Sequence, residues 1–183
     1  KLKNKKKIKG KIKIVASSWS SNWNKGFGFF LWLDRNLDFK NYELTFIGNS
    51  PVSFDNIKII SPQKSKELHK KLKKYDIYLS ASKKDACSNS ILEAIACGLP
   101  VIAFDDGGNP EIIKGCGELY SSRKDFILKL KKLSTNYKRY RFNILRKKDY
   151  SLDKYLKFIE KIFLKKIAIK KNLNHSDIIL IYI

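Results

Sequence analysis

The residues of this sequence best placed to do chemistry run from Asp85 to Glu93, DACSNSILE, and a lysine at position 25 stands directly before a glycine. Asp85 and Glu93 are carboxylates with seven residues between them, among them the small polar side chains of Cys87, Ser88, Asn89 and Ser90. Ile91, Leu92, Ile95 and Ala96 recur at the spacing of a helix facing a sheet. Gly98 and Pro100 supply a left-handed stop and a breaker at its end. A loop of small residues opening a helix presents about four backbone N–H groups without intrahelical partners, and the helix dipole adds roughly half a positive charge there. That combination accepts phosphate. Glu93, one turn in, would then reach the hydroxyls of a sugar carried on a diphosphate, with Asp85 approaching from the loop. Spacing alone leaves a second reading open. Ser90 and Glu93 also spell a capping box, in which Glu93 returns a hydrogen bond to the Ser90 backbone and Asp85 is a solvated loop acid.

The elements that must position these residues alternate between strand and helix. Ile12 to Ser17 is an apolar strand, and the loop SSWSSNWNK leads from it to Lys25. Lys25 to Leu37 carries Phe27, Phe30, Leu31, Leu33 and Leu37 at helical spacing, with Lys25 opening the helix. A cation there opposes the helix dipole unless an anion shares the helix end; otherwise Lys25 is a solvated surface lysine. Tyr42 to Ile47 and Ile57 to Ile60 are strands, Lys64 to Lys74 is a basic helix, and Ile77 to Ser80 is the strand before Asp85. Asn109 with Pro110 reads as a helix cap and first turn, which makes Glu111 structural. Glycines 107 and 108 suit close backbone approach to a sugar. A short strand near Glu118 to Tyr120 follows, and the chain is then helical and basic to Lys170, with Leu152, Tyr155, Leu156, Ile159, Ile162 and Phe163 on one face. This alternation predicts an α/β fold, a single Rossmann-like domain whose parallel sheet is covered by helices on both faces, with ligands outside the carboxyl ends of the strands.

Composition bounds the partners. The 183 residues suffice for one well-cored domain and fall short of two Rossmann-like domains. With 39 Lys plus Arg against 17 Asp plus Glu the net charge is +22, so nucleic acid, anionic membrane and phosphorylated ligands all come into question. The basic residues are nearly all lysines spread over every segment, Phe27, Phe30 and Trp32 sit on a core-facing pattern, and no nucleic-acid motif is present. A basic nucleic-acid-binding module is therefore the alternative, and no nucleic-acid partner is expected. Cys87, Cys97 and Cys116 lack zinc or redox spacing, no metal is expected, and His69 and His175 have no ligand cluster beside them. The odd, unpaired cysteines make a reducing cytoplasm the expected setting, and the lysine-rich opening has no apolar core of a signal peptide. An anionic membrane surface at the inner face is the rival partner for that opening run and for the carboxy-terminal helix face. The expected organisation is a basic linker over 1–11, one Rossmann-like domain with carboxy-terminal helices over 12–167, and a tail over 168–183 whose apolar run at 177–183 is too short to span a bilayer.

The run ASKKDACSNSILEAIACGLPVIAFDDGGNPEII, together with Asn24-Lys25-Gly26-Phe27, resembles the donor-binding core of the group 1 glycosyltransferases, glycosyltransferase family 4. The likeness covers roughly 12–120 and continues more weakly to 164. It implies the carboxy-terminal domain of a two-domain GT-B enzyme that transfers a hexosyl unit, with retention, from a nucleoside diphosphate sugar to a glycan or lipid-linked acceptor. On that resemblance Lys25 contacts the donor diphosphate, Asp85 and Glu93 form the paired-carboxylate motif, and Cys87, Ser88, Asn89 and Ser90 line the donor site. Lys25 and Asp85 are the residues assigned to catalysis. The sequence departs from the family twice: no arginine lies between Ser17 and Asn24, and the first acid is Asp85 where glutamate is usual. The acceptor-holding amino-terminal domain is not among these residues, so the chain is expected to bind donor without turning it over.

Overall fold

A computed structural model of the chain describes residues 10–146. The expectations placed on residues 1–9 of the basic linker, on the amphipathic face from Leu152 to Phe163, on His175 and on the tail lie outside the described residues. Strands β1 (Ile12–Ser18), β2 (Tyr42–Gly48), β3 (Lys58–Ile60), β4 (Ile77–Ser80), β5 (Val101–Phe104) and β6 (Gly117–Tyr120) form one parallel sheet in the order β3-β2-β1-β4-β5-β6. Helices α1 (Phe27–Asn36), α2 (Ser65–Leu72), α3 (Asn89–Ala96), α4 (Asn109–Ile113), α5 (Arg123–Thr135) and α6 (Tyr137–Arg146) follow or connect the strands. The predicted α/β class and parallel sheet are what the structure has. No helix among the described residues is long and apolar enough to cross a membrane.

The central strands are buried on both faces, as a parallel sheet under helices requires. Ile14, Val15 and Ala16 of β1, all of β4, and Val101, Ile102 and Ala103 of β5 are buried. On one face α1 inserts Phe27, Phe30 and Leu33, with Phe27 and Phe30 centred 5.4 and 5.3 Å from Phe46 of β2. Phe27 and Phe30 therefore belong to the core and offer no stacking face to a nucleic acid. Asp34 is buried one residue on, and its carboxylate accepts the backbone N–H groups of Asp55, Asn56 and Ile57 at 2.8–2.9 Å. Burial pushes its pKa up, but the three N–H donors outweigh burial and hold it below the ordinary value. This bond set carries the long β2–β3 connection back to the domain.

Two predicted helix starts shift. Asn109 is fully buried, and its side chain donates to the Phe104 carbonyl at 2.9 Å instead of capping α4. Gly108 holds the cap position, and Glu111 lies exposed in the first turn. Lys25 lies outside α1, because Gly26 at φ 84° breaks the helical path before Phe27.

Candidate active site in the switch-point crevice

Strand order reverses between β1 and β4, so the loops leaving their carboxyl ends turn to opposite sides and a crevice opens between them. The β1 loop closes with a single 3₁₀ turn, Trp23–Lys25, begun by the Asn22 side chain, which accepts the Asn24 N–H at 2.8 Å. Gly26 then packs against Ala81, the residue that follows β4. A Cβ at that position would lie 2.3 Å from the Ala81 carbonyl oxygen, so only glycine permits this approach. The Lys83 N–H donates to the Asn24 carbonyl at 2.7 Å and ties the two loops together. Lys25 is delivered over the crevice, where its Nζ lies 3.2 Å from Asp85 Oδ2.

The Asp85 loop is held mainly by backbone. The Lys84 N–H donates to Asp106 Oδ2 at 2.9 Å, and the Gly108 N–H donates to the Asp85 carbonyl at 3.0 Å. A Cβ on Gly107 would meet the Asp85 carbonyl oxygen at 2.4 Å, and one on Gly108 would meet that of Ala86 at 2.0 Å. These glycines therefore admit the Asp85 loop itself, where the sequence suggested close approach to a sugar.

Helix α3 begins at the same crevice. Its cap residue is Ser88, not Ser90, and no side chain bonds back to its first-turn amides. Ser88 is buried and its Oγ lies 3.0 Å from Ser90 Oγ. The capping box is excluded, since Ser90 is already inside the helix and Glu93 is more than one turn in. The buried stripe is Ile91, Ala94 and Ile95; Leu92 is half-buried and Ala96 exposed, because an i, i+3, i+4 stripe facing the sheet selects 94 over 96. Gly98, at φ 80°, ends the helix as expected. Glu93 Oε1 lies 3.9 Å from His69 Nε2 of α2, so the histidine that has no ligand cluster beside it in the sequence is the neighbour of a site carboxylate in the fold.

Lys25, Asp85, Cys87, Ser88, Asn89, Ser90 and Glu93 all line this one cavity of about 470 Å³. Sequence reasoning missed several of its other walls. Trp19 stands at its rim 63% exposed, and Pro62 and Gln63 reach it from the β3–α2 loop. Beneath it, the Tyr78 hydroxyl donates to the Ser17 carbonyl at 3.3 Å and lies 3.1 Å from Ser17 Oγ, and it also bonds Ser90. Burial pushes this phenol above its ordinary pKa against those bonds, so it remains a neutral strut between β1 and the start of α3. The signal for it was a phenol between the apolar residues Ile77 and Leu79.

An ammonium held over the crevice, a helix start without a side-chain cap, and a carboxylate deeper along the same helix can together hold a phosphorylated sugar derivative. Among the described residues no group of three His, Cys, Asp or Glu side chains forms a metal-binding set.

Comparison with known proteins places the chain in a family and agrees with its fold. The family described as glycosyl transferases group 1 matches residues 1–143. Comparison with curated proteins finds no match. Among solved structures, a glycosyltransferase from Rickettsia africae ESF-5 is 18% identical with a TM-score of 0.65, covering 91% of this chain and 50% of its own. The pneumococcal O-GlcNAc transferase GtfA, solved with UDP and GlcNAc, is 18% identical with a TM-score of 0.64, at 84% and 37% coverage. The catalytic domain of starch synthase IV from Arabidopsis thaliana, bound to ADP and acarbose, is 13% identical with a TM-score of 0.64, at 86% and 39% coverage. The chain thus spans half or less of the length of each of these structures. It belongs to the group 1 glycosyltransferases and has the Rossmann-like fold of their carboxy-terminal, donor-binding domain.

Proposed function

We propose that the crevice binds a nucleoside diphosphate sugar and that the chain is the donor-holding part of a retaining hexosyltransferase acting on a glycan or lipid-linked acceptor. The observation that carries this reading is the convergence of Lys25 and the first turn of α3 on one cavity at the switch point, with Glu93 deeper along the same helix. In this reading the diphosphate lies between Lys25 and the α3 amides, the ribose diol bonds Glu93, and the nucleoside extends toward Gln63. Asp85 faces the transferred sugar and, until donor arrives, holds the Lys25 ammonium over the crevice. Developing charge on the leaving diphosphate is met by Lys25 and the helix start, groups already in place before reaction. Retention and a hexosyl donor rest on the family resemblance, and UDP with GlcNAc in GtfA and ADP with acarbose in starch synthase IV support the ligand class.

Transfer also needs an acceptor fixed beside the donor. We assign that task to an amino-terminal domain or a partner chain; a cytoplasmic setting at an anionic membrane surface suits the basic composition. Calorimetry of the chain against UDP, GDP and ADP at moderate salt tests the reading. Binding of one nucleoside diphosphate, displaced by its sugar derivative, is expected. Indifference to all three, with salt-sensitive RNA binding in their place, overturns it.

A further inference from the structure

A second cavity, of about 530 Å³, opens at the carboxyl end of the sheet on the other side of the Trp23–Lys25 turn. The seam between the two cavities is the tight contact of Gly26 with Ala81. Its walls are aromatic. Phe29 stacks between Tyr120 and Trp32 with centroids 5.0 and 5.6 Å away, Phe104 meets Tyr120 edge-on at 5.5 Å, and Trp23 at the rim, 58% exposed, is the most open ring of the set and the one that a sugar face would meet. Two cations complete it. Lys83 lies over the Phe104 ring at 5.4 Å and Arg123 over Trp32 at 5.6 Å. Among the described residues neither has a carboxylate within ion-pair distance, whereas Lys25, Lys70, Lys129 and Lys132 each do. Asn24, Ser121 and Ser122 add hydrogen-bonding groups at the edge. Gly28 of α1 also faces this space, and a Cβ built there meets nothing within 4 Å.

We propose that this cavity binds an anionic saccharide, a pyranose ring carrying a carboxylate or a phosphate. The C–H faces of a pyranose lie on aromatic rings, its hydroxyls need amide and hydroxyl partners at the edge, and its anion needs cations not already neutralised. The cavity supplies all three. A neutral sugar leaves Lys83 and Arg123 unused, and inorganic phosphate leaves the aromatic walls unused. Binding here is independent of the donor crevice. The role of acceptor glycan for the sugar so bound rests on the donor reading.

The test uses the full chain, with saturation-transfer NMR and competition titrations against glucuronate, glucose 6-phosphate, glucose and inorganic phosphate at moderate salt. Glucuronate or glucose 6-phosphate is expected to bind at least about tenfold tighter than glucose or phosphate, as one charge-assisted contact provides, and the stronger of the two identifies the anion. Gly28→Leu fills the cavity while keeping the charge and removes a helix glycine. It should abolish acidic-sugar binding and leave UDP affinity unchanged. Lys83→Gln, which leaves the cavity open, should bring the acidic sugars down toward glucose. Acidic-sugar binding that survives Gly28→Leu, or that UDP displaces, overturns the proposal. So does equal binding of glucose and glucuronate. UDP binding without acidic-sugar binding sinks this cavity and leaves the donor reading standing, and the converse sinks the donor reading alone.

Discussion

Asp34 and Glu118 on one side, and Asp85 and Glu93 on the other, are carboxylates of one small domain that keep very different company. Asp34 accepts three backbone N–H groups, and Glu118, buried at 8% exposure, takes the Tyr140 hydroxyl and the ammonium groups of Lys132 at 2.9 Å and Lys129 at 3.5 Å. Asp85 has Lys25, and Glu93 has a histidine nitrogen at 3.9 Å, beyond hydrogen-bond reach. The first pair uses its acceptor capacity to hold loops and helices in place. The second pair keeps that capacity turned toward a cavity. Saturated carboxylates are structural, and carboxylates with capacity left beside a cavity are available to a ligand.

The sharpest way to break that contrast is to remove a saturated acid. Asp34→Ala strands the buried Ile57 N–H, at roughly 1–3 kcal/mol, and loses two partly exposed bonds worth less, so stability should fall by about 2 kcal/mol or more in urea unfolding. Nucleotide affinity should hold wherever the variant is folded. A loss under about 1 kcal/mol would show that water replaces the carboxylate freely and that saturation says little about structural role.

Acid sharpens the same contrast. Asp34 and Glu118 are both held below their ordinary values of 3.8 and 4.5; burial raises each, and the N–H donors of the one and the Tyr140 and Lys132 contacts of the other outweigh it. A lowered folded pKa means stability fully present above the unfolded value and lost as pH falls through the folded one. Stability should therefore be level above about pH 5 and decline steadily below about pH 4. The combined Asp34→Asn and Glu118→Gln variant should be less stable at neutral pH and show a flatter acid limb. An unchanged slope would place the acid sensitivity elsewhere.

In the crevice the effects should move from folding to binding. Lys25→Ala removes one charge-assisted contact worth roughly 1.5–3 kcal/mol, so nucleoside diphosphate affinity should drop about tenfold to a hundredfold. Its partly exposed pair with Asp85 adds at most about 1 kcal/mol to stability, so the unfolding midpoint should barely move. Glu93→Gln should lower nucleotide affinity by a smaller factor, about tenfold at most, with stability changed by under about 1 kcal/mol. A fall in melting temperature with affinity intact would return Glu93 to a structural role.

Much of this arrangement was legible because it rests on local rules. The alternation of strand and helix, the apolar runs Ile14–Ala16 and Ile77–Leu79, and the Gly98 stop placed the α3 start and the Lys25 loop at one end of a parallel sheet. What escaped depends on which strands become neighbours and where side chains turn. Tyr78 serves the site only because β4 pairs with β1, and His69 faces Glu93 only because α2 packs beside α3. Gly107 and Gly108 were read toward a ligand because nothing local shows that the Asp85 loop folds back against them. Asn109 has the right type for a cap, but tertiary burial turned its amide inward.

The smallest expected effect concerns how the Asp85 loop is built. Lys84 sits at φ 54°, the one described residue other than glycine with positive φ. Its backbone N–H, bonded to Asp106 Oδ2, is what the loop uses, and its exposed side chain has no ion pair among the described residues. An L residue in that region costs roughly 1–2 kcal/mol, while glycine in its place costs about 0.4–1 kcal/mol through the freer unfolded chain. Lys84→Gly should therefore raise stability by about 1 kcal/mol or less and keep the Asp106 bond. Because backbone geometry, not the lysine charge, positions Asp85, nucleotide affinity should match that of the unmodified chain within about twofold, the scatter expected for a surface change. Urea unfolding and a UDP titration on the same sample decide it. A tenfold loss of affinity with stability unchanged would make the Lys84 ammonium a second phosphate contact beside Lys25, standing in for the arginine that the loop from Ser17 to Asn24 lacks.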